Sequence, residues 1–329
     1  MANNNLAATC PPASTFSETT GHVNPTFQGV GDVMGELALV YRLENRRDDL
    51  QNRIHALALR LIAVVEQDPD AAIACLHLVR KGPYSVWHSV HAAILAEIVG
   101  RFLGWSQIER ISVGCAALTM NIGMHDLQDE LYRQKDALTD AQRFDIHRHP
   151  EMSAGILRAA DVFDPIWLEA VLNHHESPEG DGYPRALEGS AVSFYARVLH
   201  LADVYCAQMS SRLYRPSALS EGVMLKMFET RGSRLGRSLA HLFLKAVGAF
   251  PAGTAVELSN GDTAIVIRKG DAPRSAYHPI VRSVCSGDGT VYMDPPIRDT
   301  ELPQFSVEAV REAPPKRLPY ALETLWAGN

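Results

Sequence analysis

Apolar residues recur at helical spacing from Asp32 to about Glu66, where Leu39, Leu43, Leu50, Ile54, Leu57, Leu61 and Val65 mark one stripe. The pattern predicts one long helix, bent or solvated where the polar cluster Glu44-Asn45-Arg46-Arg47-Asp48-Asp49 interrupts the stripe on one side. So long a stripe needs a surface to cover it, either the rest of its own domain or a second copy, and a homodimer through this N-terminal helix is one expectation. Asp68-Pro69-Asp70 starts the next helix, with proline near the first turn, and carries it to about Arg80. An amphipathic helix is expected from Trp87 to Leu103, Ser106 caps another, and Thr139-Asp140-Ala141-Gln142 makes a capping box ahead of a helix carrying His149. Further helices are predicted near 153–160, 165–175, 193–211 and 218–230. After Phe250-Pro251 the period shortens to that of strands: Thr254 to Leu258, Thr263 to Arg268 after an Asn260-Gly261 turn, Pro279 to Ser283, and Thr290 to Met293. The fold class is therefore mainly α, a helical bundle with an N-terminal helical extension and a small C-terminal β unit. Its expected divisions are a disordered leader over 1–30, a helical region over 31–80, the main helical domain over 81–250, the β unit over 251–312 and a tail over 313–329 with a short helix around Tyr320 to Trp326.

Composition narrows the picture. A chain of 329 residues with 46% apolar content can bury a large core in two or three folded units. A net charge of −7 with no basic block argues against DNA or RNA as partners. The five cysteines, at 10, 75, 115, 206 and 285, show no metal or redox spacing, which fits reduced thiols in a cytoplasm. No basic-plus-apolar leader and no run of eighteen apolar residues is present, so neither export nor a membrane partner is expected.

The chemistry concentrates in His174-His175-Glu176-Ser177-Pro178-Glu179-Gly180-Asp181-Gly182-Tyr183-Pro184. Adjacent imidazoles point to a metal, since each neutral ring offers one lone pair to a first-row divalent ion, and His88, His149 and Asp203 are further candidate ligands. Gly180 and Gly182 permit backbone angles closed to other residues and Pro184 fixes the exit, so the loop is also readable as a rigid turn.

In order, His88, Met120-Asn121-Ile122-Gly123-Met124, His149-Pro150-Glu151, the double-His loop and Ala202-Asp203-Val204-Tyr205 resemble the HD-GYP family of metal-dependent phosphohydrolases. The resemblance covers roughly residues 80 to 250. It implies a helical bundle, hydrolysis of cyclic di-GMP at two or three clustered iron or manganese ions, and a Gly-Tyr-Pro loop over Gly180, Gly182, Tyr183 and Pro184 that contacts GGDEF-type diguanylate cyclase domains. Members usually carry His-Asp-Ile-Gly-Lys where this chain has Met120-Asn121-Ile122-Gly123-Met124. The Asp of that pair bridges two ions, whose mutual repulsion at about 4 Å is on the order of 16 kcal/mol at an effective dielectric of 20. Asn121 keeps an oxygen but no charge, and the Met120 thioether prefers soft metals. Of the first metal position only His88 and Asp203 remain, with Tyr84 where members often have Glu. His149, His174 and His175 match the second position residue by residue and can still hold one Fe or Mn ion, or none. Met124 replaces the lysine that neutralises a substrate phosphate, a charge-assisted bond worth roughly 1.5–3 kcal/mol.

The dipeptide His125-Asp126 lies five residues beyond the signature and is read as a solvated loop His and a turn or capping Asp. His55, His77, His91, His147, His200, His241 and His278 are read as ordinary core or surface histidines. Arg185, Arg212 and Arg215 lie beside the expected pocket, and by resemblance Arg212 meets a substrate phosphate or guanine, so Arg212, Arg215 and Tyr183 are the candidate ligand-binding residues. The expected function is a degenerate, non-catalytic protein of cyclic di-GMP signalling that binds nucleotide, a partner protein or both. The alternatives are a phosphodiesterase working with a reduced metal site and a purely structural interaction module.

Overall fold

The computed structural model describes residues 23–42, 49–210, 234–270, 277–311, 315 and 318–327. Helix α1 (Pro25–Arg42) begins inside the stretch expected to be an unstructured leader. Pro25 takes the first helical position, Asn24 Oδ1 accepts from the Thr26 amide at 3.0 Å, and Phe27 and Val30 are buried, so a cap and a core contact together fix the start. Helix α2 (Leu50–Gln67) packs against α1, so the stripe expected on one long helix is divided between two, with 43–48 outside the described residues. Leu39 is half exposed while Val33, Met34, Leu37 and Tyr41 face inward; on α2 the predicted Ile54, Leu57, Leu61 and Val65 are all buried. The chain's own helices thus supply the covering surface from which a homodimer was argued.

Helix α3 (Pro69–Leu78) is capped by the Asp68 carboxylate, which accepts from the Ala71 amide. Helix α4 (Tyr84–Phe102), expected to be amphipathic, is buried from Tyr84 to Gly100 on every face. Its polar residues are matched internally: Ser85 donates to Asp129, His91 meets the Val79 carbonyl at 3.0 Å, and Glu97 accepts from Arg110. It is the axis of the bundle, in contact with α2, with α5 (Gln107–Thr119), α6 (His125–Arg133) and α9 (Phe194–Met209), and with α10 (Arg234–Val247). Reciprocal capping boxes at Ser106/Glu109 and Thr139/Gln142 start α5 and α7 (Asp140–Arg158). Helix α7 runs unbroken through Pro150, where two helices were expected, and α8 (Pro165–Asn173) follows it. The helix predicted at 218–230 lies outside the described residues.

The C-terminal sheet is antiparallel in the order β4-β3-β2-β1-β5, with β1 (Ala255–Leu258), β2 (Thr263–Arg268), β3 (Ile280–Cys285), β4 (Ile297–Asp299) and β5 (Val307–Arg311). Gly261 adopts the positive φ that the Asn260-Gly261 hairpin turn requires. Thr290 to Met293 forms no strand: the Asp288 carboxylate takes the Thr290 amide and the Ser286 hydroxyl into a local turn, leaving Val291 one bridge to Cys285. The unexpected β5 exposes most of its side chains and joins β1 through its backbone. Trp326 ties sheet to bundle, packing on Phe27 and donating from Nε1 to the Ile267 carbonyl at 2.9 Å. No helix among the described residues is long and apolar enough to cross a membrane.

Candidate metal centre

Three predicted ligands converge. His149, His174 and His175 each offer one nitrogen, all within 4.8 Å of one another, and among the described residues they are the one group of three or more His, Cys, Asp or Glu side chains so arranged. Proline and a helix end orient two of them. Pro150 has no N–H to give the Ile146 carbonyl four residues back, and the His149 Nδ1–H donates to that carbonyl at 2.6 Å instead. Helix α8 stops at Asn173, so the Val171 carbonyl is an unclaimed group of its last turn and accepts from the His174 Nδ1–H at 2.7 Å.

With both Nδ1 atoms protonated, the neutral rings turn bare Nε2 lone pairs at each other across 3.1 Å. Protonating either ring is opposed by burial, which pushes His149 down to about 3 and His174 to about 4 and holds His175 well below the ordinary value. A cation resolves the conflict. Two nitrogens about 2.1 Å from one ion and about a right angle apart lie roughly 3 Å from each other, so the pair fits a single divalent metal with His175 as its neighbour. His200 Nδ1 donates to the His174 carbonyl at 2.7 Å and fixes that turn from outside.

His88 and Asp203 form a separate pair. The His88 Nε2–H donates to Asp203 Oδ1 at 2.7 Å, and in the neutral ring Nδ1 accepts from the Tyr84 hydroxyl at 3.2 Å. Burial raises the Asp203 carboxyl, but His88 and the facing His175 and His174 outweigh it and hold the acid far below the usual carboxylate range. Met120 is fully buried at the end of α5, and Asn121 is buried with its side-chain oxygen unpartnered among the described residues. The turn they begin is pressed on α7 one helical turn past His149: Gly123 N donates to Ser153 Oγ at 2.9 Å, and a Cβ on Gly123 would stand 2.7 Å from the Ser153 amide nitrogen. Gly123 therefore serves close approach in a short 3-10 turn, rather than ending α5, which stops at Thr119. His125-Asp126 opens α6 instead of lying in a loop, with His125 on the Ile122 carbonyl and against Tyr41, and Asp126 pointing to solvent.

The Gly-Tyr-Pro loop is built from within. The buried Glu176 carboxylate accepts from the Arg185 and Leu187 amides, and Arg185 reaches Asn173 Oδ1 at 2.6 Å. Gly182 passes so close to the preceding chain that a Cβ would meet the Ser177 nitrogen at 2.4 Å. Tyr183, expected to receive a ligand, has both ring faces covered, by His147 at 4.4 Å and His175 at 4.7 Å. Arg212 and Arg215 lie outside the described residues. Sequence reasoning missed His147 and His200, which act through contacts distant in the chain, and Glu176, which braces its own loop.

Residues 53–239, more than half of the 329, match the family model described as HD domain. The chain belongs to this family, in its HD-GYP branch. A cyclic di-GMP phosphodiesterase of Pseudomonas aeruginosa is 28% identical over 221 residues, covering 67% of this chain and 51% of that protein. A 3'3'-cGAMP-specific phosphodiesterase of Vibrio cholerae is 26% identical over 171 residues, covering 52% of this chain and 37% of the relative. The HD-GYP chain thus spans about half the length or less of these curated relatives. Among solved structures, an HDG"Y"P protein from Bdellovibrio bacteriovorus shares the fold, with a TM-score of 0.57 at 14% identity over 70% of this chain and 74% of that one.

Proposed function

We propose that this HD-GYP protein takes part in cyclic dinucleotide signalling and binds its nucleotide at a one-ion pocket without turning it over. One observation carries the reading: where the family places a metal-binding His and a bridging Asp, this chain buries a thioether, Met120, and a neutral amide, Asn121. His149, His174 and His175 are the residues that would hold the ion, iron or manganese by family resemblance, and when bound it would supply a Lewis-acid contact for a phosphodiester oxygen. Asp203 and His88 hold each other. The Gly-Tyr-Pro loop, internally braced by Glu176, presents Glu179 and Asp181 as a surface for a GGDEF-type or other signalling protein.

The test measures binding and turnover of cyclic di-GMP and 3'3'-cGAMP by protein prepared with iron and manganese in the absence of oxygen, beside the His149→Ala/His174→Ala variant. Binding by the wild type alone, with no product above the variant, is the expected result. Linear dinucleotide formed only by the wild type would overturn it in favour of the second reading, a one-ion phosphodiesterase, which the close facing of the His149 and His174 Nε2 atoms supports.

A further inference from the structure

Two of the three clustered imidazoles are oriented by backbone carbonyls. Among the described residues the His175 ring has no such anchor, and lies instead on Tyr183, with ring centres 4.7 Å apart and planes 24° from parallel. The other face of Tyr183 carries His147, at 4.4 Å and 26°. We propose that Tyr183 is a positioning residue, whose ring, clamped between His147 on α7 and His175 after α8, aims the third nitrogen of the cluster at the same point as the other two. The inference rests on the one-ion reading and adds to it the means by which the loop governs the site.

Three features support the clamp. The Tyr183 amide donates to the His175 carbonyl at 3.2 Å, so backbone and ring fix the same residue. Gly182 admits the close passage that brings Tyr183 back over His175, since a Cβ there would lie 2.6 Å from the His175 carbonyl oxygen. His147 and His149 share α7, so the support of one ligand and a second ligand move together. The stack uses the faces of the ring and not its hydroxyl, which separates it from a phenol that binds substrate or moves a proton.

The experiment titrates cobalt(II) into metal-free full-length protein against a chelator, following the visible cobalt bands, for the wild type, Tyr183→Phe, Tyr183→Ala and His147→Ala. Supporting groups of metal ligands are worth about 10- to 100-fold in affinity. Tyr183→Phe keeps the stack and is expected to match the wild type, whereas Tyr183→Ala loses about 10-fold or more and shows altered bands from a displaced nitrogen. His147 is exposed, so its replacement leaves the fold intact and is expected to weaken cobalt by a smaller factor even if Tyr183→Ala fails to fold. Equal affinities and spectra for wild type, His147→Ala and a folded Tyr183→Ala would overturn the clamp while leaving the one-ion centre standing. A wild type that binds no cobalt would overturn the centre itself, and the clamp with it.

Discussion

Lowering the pH should destabilise the metal-free protein well before its carboxylates titrate. Burial pushes His77, His91 and His149 down to about 3 and His174 to about 4, against the ordinary 6.5 that each regains on unfolding. Because the folded values are depressed, the unfolded chain binds more protons as the pH falls. The stability these rings contribute is therefore complete above about 6.5 and is lost progressively toward the folded values. Between pH 7.5 and 5.5 each group costs about 1.4 kcal/mol. His77 and His91, remote from the ligand cluster, together remove about 3 kcal/mol, and the His149–His174 pair adds a similar amount at most. Glu97, whose carboxyl burial raises, acts in the opposite sense and offsets part of this. The assay is urea unfolding in the presence of chelator at the two pH values, with His77→Gln beside the wild type. The His77 Nε2 is buried and unpartnered among the described residues, so the substitution removes one titrating group and should shrink the pH difference by about 1.4 kcal/mol. Equal stability at pH 7.5 and 5.5, or an unchanged difference in His77→Gln, would refute the reasoning.

Restoring the family's dipeptide with Met120→His/Asn121→Asp should raise bound iron or manganese from about one to about two equivalents, read by elemental analysis, because a charged bridging oxygen then offsets repulsion between adjacent ions. Pro150→Ala restores an N–H that competes with His149 for the Ile146 carbonyl. Metal affinity by chelator competition should fall about 10-fold, with helix content by circular dichroism kept or raised; unchanged affinity would mean that the freed carbonyl does not orient the ring.

Local signals were legible in the sequence wherever the physics is local. Ser106, Thr139 and Asp68-Pro69 start their helices as expected, because a cap and the amides it satisfies lie within a turn of each other. The His149, His174 and His175 set was legible through spacing that resembles a family. What stayed hidden depends on contacts between distant segments. The α1–α2 pair looked like one helix because apolar period alone does not tell a continuing helix from one that folds back. The stretch from 140 to 158 looked like two helices, whereas one runs through Pro150, and the carbonyl that Pro150 frees accepts from the His149 ring. His147 was unremarkable until Tyr183 was laid against it by a loop more than thirty residues away.

On the one-ion reading, the remaining donors also set the charge the pocket can carry. His149, His174 and His175 are held neutral by burial and bring none, while Asp203 brings one negative charge that His88 steadies. A single divalent ion beside this set leaves one positive charge, which one phosphodiester neutralises. A second ion would add two more, and its repulsion from the first, on the order of 16 kcal/mol at about 4 Å and an effective dielectric of 20, would find no bridging carboxylate, because Asn121 is neutral. Loss of the Asp therefore removes the ion pair needed for two-metal chemistry while leaving the site matched to one phosphate of a cyclic dinucleotide. Met124 in place of a lysine points the same way: one fewer positive charge lowers phosphate affinity, by roughly 10- to 100-fold if the lost charge-assisted bond is worth 1.5–3 kcal/mol, yet it leaves the metal contact untouched. On the proposed reading, a site so altered would lose turnover before it loses recognition.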